Sequence, residues 1–89
     1  MPTIHLIIKG TVQGVFYRAT AKKIADELGI TGWIKNTEDE NVEAMVTGCE
    51  KQLEEFISWC RKGPAKASVT DVITRPERET LFEIFLVKR

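Results

Sequence analysis

Gly10-Thr11-Val12-Gln13-Gly14-Val15-Phe16-Tyr17-Arg18 stands between an alternating stretch and a helically periodic one, and its reading decides the fold. Upstream, Thr3 to Lys9 alternates, with Ile4, Leu6 and Ile8 on one face and His5, Ile7 and Lys9 on the other, which predicts a half-buried strand. Here His5 falls on the outer face and reads as a solvated strand histidine. Downstream, Ala21, Ile24, Ala25 and Leu28 follow the i, i+3, i+4, i+7 spacing of an amphipathic helix that Gly29 closes as a C-terminal cap. Lys22, Lys23, Asp26 and Glu27 fall on its solvated face. The stretch between is therefore a strand-to-helix turn. Its glycines let the backbone curl and bring N–H groups close to an anion, and the helix start adds unpaired N–H groups and a positive dipole end. Arg18 offers a planar fork that matches two oxygens of a phosphate or carboxylate. On residue types alone this is an anion cradle or, the commoner case, an ordinary turn with a solvated arginine. It is neither the Walker pattern nor the dinucleotide-binding fingerprint.

The remaining chain supplies the rest of a small fold. Ile30 to Asn36 reads as a second strand, Val42, Ala44 and Val46 mark one face of a third, and Thr37-Glu38-Asp39-Glu40-Asn41 between them is a polar hairpin loop. Thr47-Gly48-Cys49-Glu50 fits a capping box, followed by a helical stripe of Leu53, Phe56, Ile57 and Cys60. Trp59 lies off the centre of that stripe, and Gly63-Pro64 stops the helix. Ala67 to Thr74 is a less regular fourth strand, Arg75-Pro76-Glu77-Arg78-Glu79 a charged turn, and Leu81 to Lys88 a fifth strand. Two helices that each bury one stripe must share a sheet face. The order predicts an α+β two-layer sandwich of ferredoxin-like type, βαββαβ plus one extra strand, with an antiparallel sheet and both helices on one face. The other face is expected to carry Ile7, Met45, Leu81, Phe85 and Val87, with Phe82, Ile84 and Leu86 towards the helices.

Totals narrow the class further. A chain of 89 residues has room for one small domain, expected over 1–89, and its 43% hydrophobic and 29% charged content is that of a globular protein. Thirteen basic and thirteen acidic residues cancel, so no global field steers it to nucleic acid or anionic lipid, and any anion binding is local. No apolar run approaches the ~18 residues of a membrane span, and the Met1-to-His5 start lacks signal-peptide character, which makes a cytoplasmic location the expectation; a monomer is expected as well. Cys49 and Cys60 are eleven residues apart. A continuous helix would hold their Cα atoms roughly 16 Å apart, beyond the ~7 Å reach of a disulfide. Without Cys-x-x-Cys, and with His5 alone, no metal site is expected.

Two longer strings carry more than these patterns do. Gly10 to Arg18 resembles the first signature of the acylphosphatase family, and Gly32-Trp33-Ile34-Lys35-Asn36, continuing to Val42-Glu43-Ala44 and Gly48, resembles the second. The similarity runs over essentially the whole chain, including Gly63-Pro64 and Phe82-Glu83-Ile84. It implies an enzyme that hydrolyses the carboxyl-phosphate bond of a small-molecule acyl phosphate without metal or organic cofactor. It further implies that Gln13, Gly14, Val15, Phe16, Tyr17 and Arg18 hold the phosphate, that Arg18 clamps it, and that Asn36 positions the attacking water. One departure stands out. The family usually has Asp-Gly in the turn after Asn36, and this chain has Asp39-Glu40, so either Asn41 takes the positive φ or the loop changes shape.

A different class of function fits the same fold, since fold does not fix function. The alternative is a non-catalytic anion- or partner-binding module. An RNA reader of this topology needs stacked aromatics and a basic bias, and the neutral charge balance argues against one.

Overall fold

Strand β1 (Thr3–Thr11) lies inside the sheet, where an alternating strand with one covered face belongs. In the computed structural model, which describes residues 1–88, it pairs antiparallel with β3 (Val42–Thr47) on one side and β4 (Ser68–Glu77) on the other. Strand β2 (Thr31–Asn36) pairs antiparallel with β3, and β5 (Phe85–Val87) pairs with β2, giving the order β4-β1-β3-β2-β5. The expected sandwich and element order hold, but the sheet is mixed, because β5 runs parallel to β2. The reason is geometric. The chain leaves β4 at one edge, crosses the end of the sheet through residues 78–84, and returns at the far edge in the direction opposite to β4. That is also the direction of β2.

Both helices cover one face. Helix α1 (Tyr17–Leu28) buries Tyr17, Ala21 and Ala25, and α2 (Glu50–Lys62) buries Leu53, Phe56 and Cys60. They close over Leu6, Ile8, Ile34, Val42, Ala44, Val46 and Val72. Burial of each such large aliphatic or aromatic side chain contributes about 1.5–3 kcal/mol, and the two alanines let α1 sit close to the sheet. Gly29 ends α1 in the left-handed conformation, its N–H bonded back to Ala25 and Asp26 carbonyls. Lys22 Nζ ties α1 to the Phe85 carbonyl at 3.0 Å.

Several local expectations change. Thr47 caps nothing. It ends β3, donates to the Thr80 carbonyl at 2.6 Å, and so leaves Thr3 as donor in their buried 2.7 Å hydroxyl pair. The capping box starts two residues later, at Cys49, whose N–H reaches Gln52 Oε1 at 2.8 Å. Arg75-Pro76-Glu77 continues β4 and is no turn; as an edge strand, β4 can admit a proline. The fifth strand is short, and its faces are inverted. Phe85 is 1% exposed, with its ring 6.0 Å from that of Phe56, and Val87 packs on the core, whereas Ile84 and Leu86 are 62% and 47% exposed. Parallel pairing aligns Phe85 with Gly32 and Val87 with Ile34. A shift of one residue in that phase exchanges the two faces. On the open face His5 is paired rather than solvated, 2.6 Å from Glu43 Oε2, and Lys35 lies 3.6 Å from the other Glu43 oxygen. Cys49 and Cys60 are free thiols; burial pushes the pKa of Cys60 up to about 12.

Candidate functional site

The cradle begins where β1 bends away from its neighbour. The β1–β4 register shifts between Lys9 and Gly10, and a Cβ at Gly10 would lie 2.1 Å from the Ser68 carbonyl oxygen. Only glycine permits that approach. Val12, 1% exposed, then anchors the floor of the turn. Tyr17 anchors its far end, buried in the core with its hydroxyl donating to the Cys60 carbonyl at 2.7 Å; burial raises its pKa well above the ordinary tyrosine value. Between these anchors the backbone turns sharply, with Gly14 at φ 73° and Phe16 at φ 63°.

The Phe16 conformation is costly for a side chain with a Cβ, by roughly 1–2 kcal/mol. Its ring stays 75% exposed, so packing does not offset that strain. Phe16 is also the N-cap of α1. Its carbonyl accepts from the Thr20 N–H at 3.0 Å and the Thr20 hydroxyl at 2.8 Å, and a phenylalanine has no side-chain acceptor for the first-turn N–H groups. Strain of this kind gathers at functional sites.

A cavity of about 280 Å³ opens here, lined by Val12, Gly14, Phe16, Tyr17, Arg18, Ala19, Asn36 and Val87. Arg18 enters from the first turn of α1, Asn36 from the last residue of β2, and Val87 from β5. The two strings far apart in sequence thus meet at one cavity. Arg18 Nη1 donates to the Lys88 carbonyl at 2.8 Å, which fixes the guanidinium. Asn36 Oδ1 is buried and accepts no hydrogen bond from any described residue. A buried acceptor left without a donor costs about 1–3 kcal/mol, so a ligand or water that donates to it is favoured. Among the described lining residues Arg18 is the only charged side chain, and none is a carboxylate or imidazole.

Gln13 is adjacent but turned elsewhere. Its side-chain Nε2 donates to the Thr37 carbonyl at 2.9 Å and the Asn41 carbonyl at 2.8 Å, across to the hairpin that follows Asn36. That hairpin is closed by the Thr37 N–H on the Asn41 carbonyl at 2.9 Å and the Asn41 N–H on the Thr37 hydroxyl at 3.0 Å. Its positive φ falls on Glu40 itself, at 67°, and not on Asn41. The Asp39 carboxylate, accepting from the Thr37 hydroxyl, is held below its ordinary range by that bond. Thr37, Asn41 and Lys88 belong to the site's surroundings, although the sequence gives none of them a part in the site. The Lys88 contact uses a backbone carbonyl, which no side-chain motif can signal.

Residues 4–85 match the acylphosphatase family model. The acylphosphatase of Methylococcus capsulatus is 43% identical over 75 residues, covering 84% of this chain and 82% of that protein. That of Legionella pneumophila is 53% identical over 68 residues, covering 76% and 74%. The crystal structure of acylphosphatase from Bacillus subtilis superposes with a TM-score of 0.96 at 30% identity, over the full length of both chains.

Proposed function

The chain belongs to the acylphosphatase family, and from that premise we propose that it hydrolyses the carboxyl-phosphate bond of acyl phosphates to a carboxylate and inorganic phosphate. The observation that carries this reading is the orphaned Asn36 Oδ1 in the wall of a cavity it shares with Arg18. In this reading backbone N–H groups from Val15 to Arg18 meet the phosphate oxygens, and Arg18, seated on the Lys88 carbonyl, stabilises the charge that spreads over them during transfer. Asn36 Oδ1 accepts a hydrogen from the attacking water and aims its lone pair at phosphorus.

The reaction balances with these parts alone. Water oxygen bonds to phosphorus, the bond from phosphorus to the carboxyl oxygen breaks, and that electron pair leaves as carboxylate, a weak base that needs no general acid. The water's proton passes to a phosphate oxygen of the substrate. Positioning and charge stabilisation are then the whole task, so neither a metal nor an organic cofactor is required. The same reading extends to a single domain acting as a cytoplasmic monomer on a small molecule, with no nucleic-acid or membrane partner. For the absence of a nucleic-acid or anionic-lipid partner, support comes from the balanced charge, which leaves no global field to attract either.

Release of phosphate from acetyl or benzoyl phosphate in excess chelator tests it. Turnover unaffected by chelation is expected. Loss of turnover that Mg²⁺ restores would overturn the mechanism, and phosphate binding without turnover would leave a non-catalytic anion module.

A further inference from the structure

We infer that the side chain of Gln13 is a positioning group for Asn36 rather than a ligand of the phosphate. This rests on the water-positioning role proposed for Asn36. A primary amide has two N–H donors, and both of Gln13's are engaged, one on the Thr37 carbonyl and one on the Asn41 carbonyl. What remains is an acceptor oxygen, which repels phosphate oxygens. The side chain therefore has nothing to offer the anion while the clamp holds.

What the clamp fixes is a relationship between two parts of the site. Asn36 is the last residue of β2, paired with Val42, and the chain leaves the sheet immediately after it. Residues 38–40 of the loop are exposed, and Glu40 is held in a left-handed conformation that favours glycine. Bonds within the loop close it on itself, but they do not fix where it sits relative to the cradle. Among the hydrogen bonds of the described residues, only the two from Gln13 join the cradle turn to this hairpin. They link the element that would hold phosphorus to the element that would aim water at it. Displacement of about 1 Å between such groups can cost on the order of 100-fold in rate.

The test is a double-mutant cycle in the full chain. Gln13→Met keeps the length and neutrality of the side chain and removes both donors. Expected are a fall in kcat of about tenfold or more, competitive inhibition by inorganic phosphate within about twofold of the parent, and no further fall in kcat when Gln13→Met is added to Asn36→Ala. A merely structural loosening would lower kcat in both backgrounds. Should Gln13→Met fail to fold, Gln13→Asn carries the same test, because it keeps the amide but is too short to span both carbonyls. Loss of phosphate inhibition with kcat retained, equal losses in both backgrounds, or a parental kcat in Gln13→Met would each overturn the inference. An Asn36→Ala variant with parental kcat would overturn the proposed water role as well, and that single variant tells the two failures apart.

Discussion

Arg18 Nη1 reaches the carbonyl oxygen of Lys88 at 2.8 Å, so the cation at the start of α1 is seated by the chain just past β5. Held there, the guanidinium keeps its remaining donors for an anion in the cavity. Arg18→Ala should weaken competitive phosphate inhibition and lower kcat together, and Arg18→Lys should rescue neither well, since an ammonium lacks the fork. Phosphate at ten times its Kd should stabilise the parent by about 1.4 kcal/mol, a Tm rise of roughly 6–11 °C. An equal rise in Arg18→Ala would locate the anion elsewhere.

Glu40 adopts φ 67° at an exposed hairpin position. Glu40→Gly should raise stability by about 1 kcal/mol, the relief of left-handed strain partly offset by the greater freedom of glycine in the unfolded chain. A urea midpoint that falls on substitution would contradict this.

Asp39 provides a pH signature for the same loop. Its folded pKa lies below the ordinary 3.8, chiefly because the carboxylate accepts from the Thr37 hydroxyl, with smaller lowering from its own backbone, Asn41 and Lys9. A depressed carboxylate stabilises the fold above its unfolded pKa, and the contribution is lost as pH falls through the folded one. Between pH 6 and pH 3 the parent should therefore lose more stability than Asp39→Asn. Since the group is fully exposed, the difference should be small and should shrink with added salt.

Thiol chemistry should divide the two cysteines. Cys60 is fully buried with its pKa raised to about 12, while Cys49 is exposed at the N-cap of α2. A maleimide should label one thiol in the native protein and two after denaturation, with peptide mapping assigning the native label to Cys49.

Much of the fold was legible because its signals are local. The alternation in β1, the stripe from Ala21 to Leu28 and the stop at Gly63 each lie within a few residues of the structure they specify. Misreadings cluster after residue 74, where the deciding contacts are remote. Phe85 faces inward because it pairs in parallel with Gly32, and nothing between residues 81 and 88 reveals that partner. Thr47 looked like a helix cap because its true partner, Thr3, is 44 residues away. At the cavity the same division holds. Arg18 and Asn36 stand in recognisable strings, whereas the acceptors that hold Gln13 and Arg18 are backbone carbonyls of Thr37, Asn41 and Lys88, available from any residue type.

The ties between α1 and β5 bear on the order in which the protein becomes active during its synthesis. Arg18 bonds to a carbonyl 70 residues further on, and Lys22 to one 63 residues further on. A ribosome that has translated both signature strings has not yet released the segment that seats the arginine. Closing the α1–β5 contact carries an entropic cost and must wait for residue 88. Anion-binding competence should accordingly emerge late and abruptly as the chain lengthens.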